Sequence, residues 1–152
     1  MARKVLSDNE VVGPPTPIVS ICETYGLNVY AMDLTEVRDD VAGVLDIDKR
    51  QILVNDSDSA ARQAFTTAHE LGHYLMHKAL LADHPGMGIL FRRPIGGESD
   101  PYEKEANAFA AEVLVPLNFL KAYVDQPVDT LAKIFGVSTE VVGYRMKALG
   151  LS

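Results

Sequence analysis

The residues best able to do chemistry stand in one short run, Thr67-Ala68-His69-Glu70-Leu71-Gly72-His73. Positions i and i+4 lie one turn apart on one face of a helix, so the two imidazoles can converge on a single ion. Glu70 lies about 100° around that helix from His69. From there it can reach a water in the ion's open coordination position, act as general base, and carry the proton on to a leaving amine. A shuffled chain of this composition carries the pattern roughly 0.6% of the time. The bland alternative is a helix with two solvated or hydrogen-bonded histidines. The expected chemistry is metal-assisted hydrolysis with one Zn2+ per chain, Mn2+ being the alternative ion.

A catalytic zinc site takes three protein ligands and keeps one position open. Two carboxylates on the next helix compete for the third place. Glu103 and Glu105 are about 200° apart on a helix, so both cannot face the ion. Glu103 shares its face with Ala106, Asn107, Ala110 and Leu114. The small alanines allow close approach to the first helix, and Asn107 can hydrogen-bond a ligand imidazole. Glu105 groups with Glu112 as a solvated edge. Glu103 is therefore favoured, the competing reading being a carboxylate that caps its own helix. His77 lies about 6 Å along the axis beyond His73, and the third histidine of an extended three-histidine pattern would fall on Ala79. Packing or closure of the helix end suits His77 better than ligation, with a substrate contact as the other reading. His84, Tyr102, Arg92 and Arg93 border the expected site. Any of them could contact substrate or stabilise an oxyanion, against a default of ordinary loop residues.

The elements that must position these groups follow from periodicity and punctuation. Residues 1–15 read as an arm. Thr16 is placed to cap a helix with Pro17 at its first position, and Gly26 stops it. Leu27–Met32 reads as a strand, then Val41–Ile47 and Gln51–Val54 as a hairpin joined by Asp48-Lys49-Arg50. Helical spacing begins at Ser59 and lasts to about Leu80. Residues 82–101 form a loop with a short strand at Gly88–Phe91. Asp100 and Pro101 open a second long helix that Pro116 ends. A short helix covers Leu117–Val124. Val128–Phe135, the turn Gly136-Val137-Ser138 and Thr139–Leu149 read as helix, turn, helix. The expected class is α+β, with a small, mostly antiparallel sheet beside the His69–His73 helix and its edge strand along the cleft. One compact domain is expected: an arm at 1–15, a core at 16–125, and a helical pair at 126–152 packed on it.

Composition narrows the function further. Hydrophobic residues make up 47% of the 152 and charged residues 23%, as in a globular protein and unlike a disordered or fibrous chain. The net charge of −7 argues against general nucleic-acid binding, which needs a positive surface. Tyr144, Arg145 and Lys147 on the last helix could touch phosphates, but Glu140 opposes them and no basic stripe runs along it. The single Cys22 suits a reducing compartment and, among apolar neighbours, a buried position. No secretory leader and no apolar run of membrane-spanning length are read from the chain. A cytoplasmic protein without membrane contact is expected.

The run Thr66-Thr67-Ala68-His69-Glu70-Leu71-Gly72-His73-Tyr74-Leu75-Met76-His77 is followed by Glu103-Lys104-Glu105-Ala106-Asn107-Ala108-Phe109-Ala110-Ala111-Glu112-Val113-Leu114-Val115-Pro116. Together they closely resemble the ImmA/IrrE family of metallopeptidases. The likeness extends upstream to the hairpin at 41–55 and downstream to the helical pair at 131–149. One departure is Val113-Leu114-Val115-Pro116, where Leu-Leu-Met-Pro is usual, a conservative packing change. The resemblance implies a gluzincin-like zinc site of His69, His73 and Glu103, with Glu70 as base and Asn107 behind the ligands. It also implies a helix-turn-helix transcriptional repressor as protein substrate, in a stress-response, mobile-element or toxin–antitoxin-like system. The alternative is a non-catalytic regulator that binds a repressor or DNA through its last helices.

Overall fold

The computed structural model describes residues 1–35, 42–82, 89–90 and 101–151. Seven α-helices and four short strands are present among them. Helix α1 spans Ala2–Asp8 and α2 spans Ile18–Thr24. Strands β1, β2 and β3 cover Asn28–Met32, Gly43–Asp46 and Gln51–Asn55. The long helix α3 runs Ala60–Ala82, and the two-residue strand β4 is Ile89–Leu90. Helix α4 covers Pro101–Leu114, α5 Leu117–Leu120, α6 Val128–Phe135 and α7 Thr139–Ala148.

The sheet is ordered β1-β3-β2-β4. Strands β2 and β3 form the expected antiparallel hairpin, with Val44 opposite Leu53 and Asp46 opposite Gln51. Strand β4 joins β2 antiparallel. The remaining pair is parallel, β1 alongside β3 with Asn28 opposite Gln51, so the sheet is mostly antiparallel as expected. The fold is α+β with a mixed sheet. Every residue of β2 is buried. Leu45 joins the main core with Ile52, Val54, Leu71 and Phe109, while Val44 packs with Leu34 on the sheet's other face.

The hairpin turns without an Asn-Gly pair. Arg50 takes the left-handed backbone conformation at φ 52°, and Asp46 Oδ1 accepts from the Lys49 amide. Gly43 has a steric reason. A β-carbon there would stand 2.3 Å from Thr66 Cγ2 and 3.2 Å from the Leu53 carbonyl. Strand β2 can lie this close to α3 only because position 43 lacks a side chain.

Several boundaries differ from the sequence reading. Residues 1–15, expected as an arm, contain α1, whose Ala2, Val5 and Leu6 are buried against α4. Thr16 does not cap α2. Pro17 takes the cap position without a side-chain bond, and Thr16 Oγ1 donates to the Val113 carbonyl at 2.8 Å. The helix expected at Leu117–Val124 ends as α-helix at Leu120 and tightens to a 3-10 turn at Lys121–Tyr123. Ser138 caps α7 as expected, its hydroxyl accepting from the Val141 amide. Gly136 closes α6 in the left-handed conformation that favours glycine. Asp100, expected to cap α4, lies outside the described residues, as do residues 83–88 and 91–99. No helix among the described residues is long and apolar enough to cross a membrane.

Candidate metal centre

Helices α3 and α4 build the centre by packing along each other. They approach closely at Gly72, where a β-carbon would stand 2.9 Å from Phe109 Cδ1. Ala106 and Ala110 are fully buried on the facing side of α4. The small residues let the helices close until their polar groups meet.

Three side chains meet there. His69 Nε2 and His73 Nε2 are 3.1 Å apart. Glu103 Oε1 lies 2.8 Å from His73 Nε2 and Glu103 Oε2 lies 3.1 Å from His69 Nε2. All three residues are buried, and one ligand atom from each lies within 4.8 Å of the others. The donor set of two imidazoles and a carboxylate is one that Zn2+ takes. Ligand atoms around a tetrahedral ion stand about 3.3–3.6 Å apart, from bonds of about 2.0–2.2 Å, so the cluster, with separations of 2.8–3.1 Å, is tighter than the short end of that range by about half an ångström at most. His69 Nδ1 donates to Asn107 Oδ1 at 2.8 Å, which leaves the Nε2 lone pair facing inward. Glu103 Oε2 is buried with no hydrogen-bond partner. A buried, unpartnered oxygen beside two imidazoles is what a cation resolves. The residues fit a metal.

The electrostatics agree. Burial pushes the Glu103 carboxyl up, but the closeness and charge of the His69 and His73 rings outweigh it and hold the group at about 2. It is an anion throughout the physiological range. Burial pushes the His73 imidazole down against the Glu103 bond, and the neighbouring imidazoles push the same way. A neutral imidazole is the form that ligates. Glu70, the residue after His69, is 2% exposed. Burial first, and the Glu103 charge second, raise its carboxyl well above the usual range. Its Oε2 has no hydrogen-bond partner, and its Oε1 faces the space a side chain at Gly43 would enter.

The remaining candidates are placed as follows. His77 is buried, with Nδ1 2.8 Å from His73 Nδ1 and Nε2 donating to Glu105 Oε2 at 2.8 Å. Glu105 is thus not simply a solvated edge, although its side chain is 57% exposed. Its expected companion Glu112 points elsewhere, 3.9 Å from Arg3. The His77 connection was missed from sequence, and its only signal was the i, i+4 spacing from His73. Tyr102 stands edge-on to the His77 ring, centroids 4.9 Å apart. His84, Arg92 and Arg93 lie outside the described residues. A cavity of about 730 Å³ is lined by Phe65, Lys104, Asn107, Val141 and Tyr144 and includes none of His69, Glu70, His73 or Glu103. Arg145 faces inward instead, donating to the Val115 carbonyl.

A histidine pair one turn apart and a carboxylate from the next helix, beside a mixed sheet, make an α+β protein with a candidate metal site. The IrrE N-terminal-like domain, a peptidase family, matches residues 22–147, and the chain belongs to that family. It is 27% identical to the metallopeptidase ImmA of Bacillus subtilis over 139 residues, covering 88% of this chain and 76% of the relative. It is 31% identical over 106 residues to the uncharacterized immunity region protein 2 of Bacillus phage phi105. That match covers 67% of this chain and 63% of the relative. A solved structure described as a Mycobacterium tuberculosis transcriptional regulator superposes with TM-score 0.69 at 18% identity. It covers 95% of this chain and 44% of that one, a likeness of fold.

Proposed function

We propose that this chain is a zinc-dependent endopeptidase of the cytoplasm whose substrate is a helix-turn-helix transcriptional repressor. The observation that carries the reading is the convergence of His69, His73 and Glu103 on one point, with the buried carboxyl of Glu70 on the next residue of the same helix. His69, His73 and Glu103 hold the metal, and Asn107 orients His69. Zinc bound there supplies Lewis-acid polarisation of the scissile carbonyl and acidifies the attacking water.

Glu70 does the proton work. It takes a proton from the water that adds to the carbonyl carbon and returns it to the departing amine nitrogen, so the C–N bond breaks with no net change at the carboxylate. Burial raises the proton affinity of that carboxyl, which makes it a stronger base toward the water in the first half of the task. Membership of a peptidase family supports a protein substrate, and the helical pair at 126–152 is read as packed on the core at 16–125. The repressor is supported by membership of the family and by relatives named for a metallopeptidase and for a phage immunity region.

The test is to load the purified chain with zinc and incubate it with the helix-turn-helix protein encoded beside it. Intact mass is read with and without a chelator. Cleavage at one bond, lost on chelation and restored by zinc, is expected. Binding of the repressor without cleavage, with zinc bound, would favour the non-catalytic regulator.

A further inference from the structure

His77 and Glu105 lie outside the ligand set, yet they continue it in an unbroken line. His73 Nδ1 is 2.8 Å from His77 Nδ1, and His77 Nε2 is 2.8 Å from Glu105 Oε2. The line has a carboxylate at each end, since His73 Nε2 also lies 2.8 Å from Glu103 Oε1. With a cation on His73 Nε2, only the Glu105 end is left to be given a proton. A carboxylate only accepts, so His77 Nε2 carries the proton and donates it to Glu105. In neutral His77, Nδ1 is then an acceptor. The partner of that lone pair must be a donor, so His73 carries its proton on Nδ1. The His73 Nε2 lone pair is left facing His69 and Glu103. The reverse arrangement puts a hydrogen on His73 Nε2, where it bonds Glu103 Oε1 but blocks ligation, and sets the bare His77 Nε2 against the Glu105 carboxylate at 2.8 Å.

We propose that His77 and Glu105 are positioning residues for the metal centre: the half-exposed carboxylate selects the His77 tautomer, and His77 selects the ligating tautomer of His73. His69 has an equivalent orienting partner in Asn107 on the same helix. Each ligand imidazole is thus held by a different acceptor. The placement suits such a role, since His77 is 4% exposed and Tyr102 stacks edge-on against it. The inference rests on the zinc reading of the site.

Zinc affinity, measured by competition with a chromophoric chelator, tests it apart from catalysis. His77→Leu and Glu105→Ala are each expected to weaken zinc binding about 10–100-fold, the usual effect of losing a partner of a metal-bound imidazole. His77→Asn, which offers an amide oxygen near the position of Nδ1, is expected to recover most of that loss. Nitrogen-15 imidazole spectra of the zinc-loaded protein should show His77 protonated on Nε2 only. Should His77→Leu fail to fold, the surface substitution Glu105→Ala and the spectra still decide. Wild-type affinity in Glu105→Ala, or a His77 protonated on Nδ1, overturns the proposal while leaving the zinc site standing. A wild-type chain that binds no zinc overturns the zinc reading itself.

Discussion

Gly72 lies against the ring of Phe109 so closely that a β-carbon at position 72 would stand 2.9 Å from Phe109 Cδ1. That contact sets the distance between α3 and α4, and with it the reach of Glu103 to His69 and His73. Gly72→Ala is expected to destabilise by about 1–3 kcal/mol, the usual cost of overpacking, despite alanine's better helix propensity. Urea unfolding of the metal-free protein measures it. Trimming the ring in Gly72→Ala with Phe109→Leu should show positive coupling of about 0.5 kcal/mol or more in a double-mutant cycle.

Much of this was legible in the sequence. Helices α3 and α4 announce themselves by period and punctuation, and Ser138 by its cap position. The pairing of His69 with His73 follows from the i, i+4 rule and the preference for Glu103 over Glu105 from a choice between helix faces, both of which are local. The parallel pairing of β1 with β3 was not legible, because Asn28 meets Gln51 only through chain topology. Helix α1 has seven residues, too few turns to declare a period. Glu105 was assigned to solvent because a helical wheel of α4 takes no account of α3. The half-exposed side chain returns to His77, one turn beyond the ligand pair.

Cys22 is buried at 0% exposure. Burial, then the Glu23 charge, pushes its thiol up to about 12. The thiolate is the reactive form, so the native protein should resist iodoacetamide at pH 8. Labelling followed by mass spectrometry is expected to appear only as denaturant opens the core. Rapid labelling without denaturant would contradict the burial.

The raised proton affinity of Glu70 has a thermodynamic consequence in the metal-free protein. Above the ordinary value of 4.5 the unfolded state has released this proton and the folded state still holds it. Stability from this group is therefore complete below about pH 4.5 and declines as pH rises toward the folded value, by up to about 1.4 kcal/mol per pH unit. Glu103 has the opposite sign: its contribution is present above 4.5 and is lost as pH falls through about 2. Glu70→Gln removes only the first effect. The variant should gain stability relative to wild type progressively as pH rises from 4.5 to 7, measured by urea midpoints with chelator present. A constant difference across that range would show that Glu70 ionises as readily in the folded state as in the unfolded chain.

The same substitution separates proton transfer from metal binding. Glu70 stands next to His69 in sequence but outside the three residues whose ligand atoms converge. Glu70→Gln should therefore keep the zinc stoichiometry of the wild type. An amide has no site to accept the proton that the attacking water sheds, so cleavage is expected to fall on the order of 10²–10⁴-fold, the scale of general-base catalysis. His69→Ala should behave differently, losing zinc, and with it the stability that zinc adds, in one step. Zinc content by metal analysis, thermal midpoints with and without zinc, and cleavage by intact mass distinguish the two variants. Cleavage by Glu70→Gln at the wild-type rate would remove Glu70 from the mechanism. Loss of zinc in Glu70→Gln would instead assign it to the metal's hold, for which its buried, unpartnered Oε2 would then be the cause.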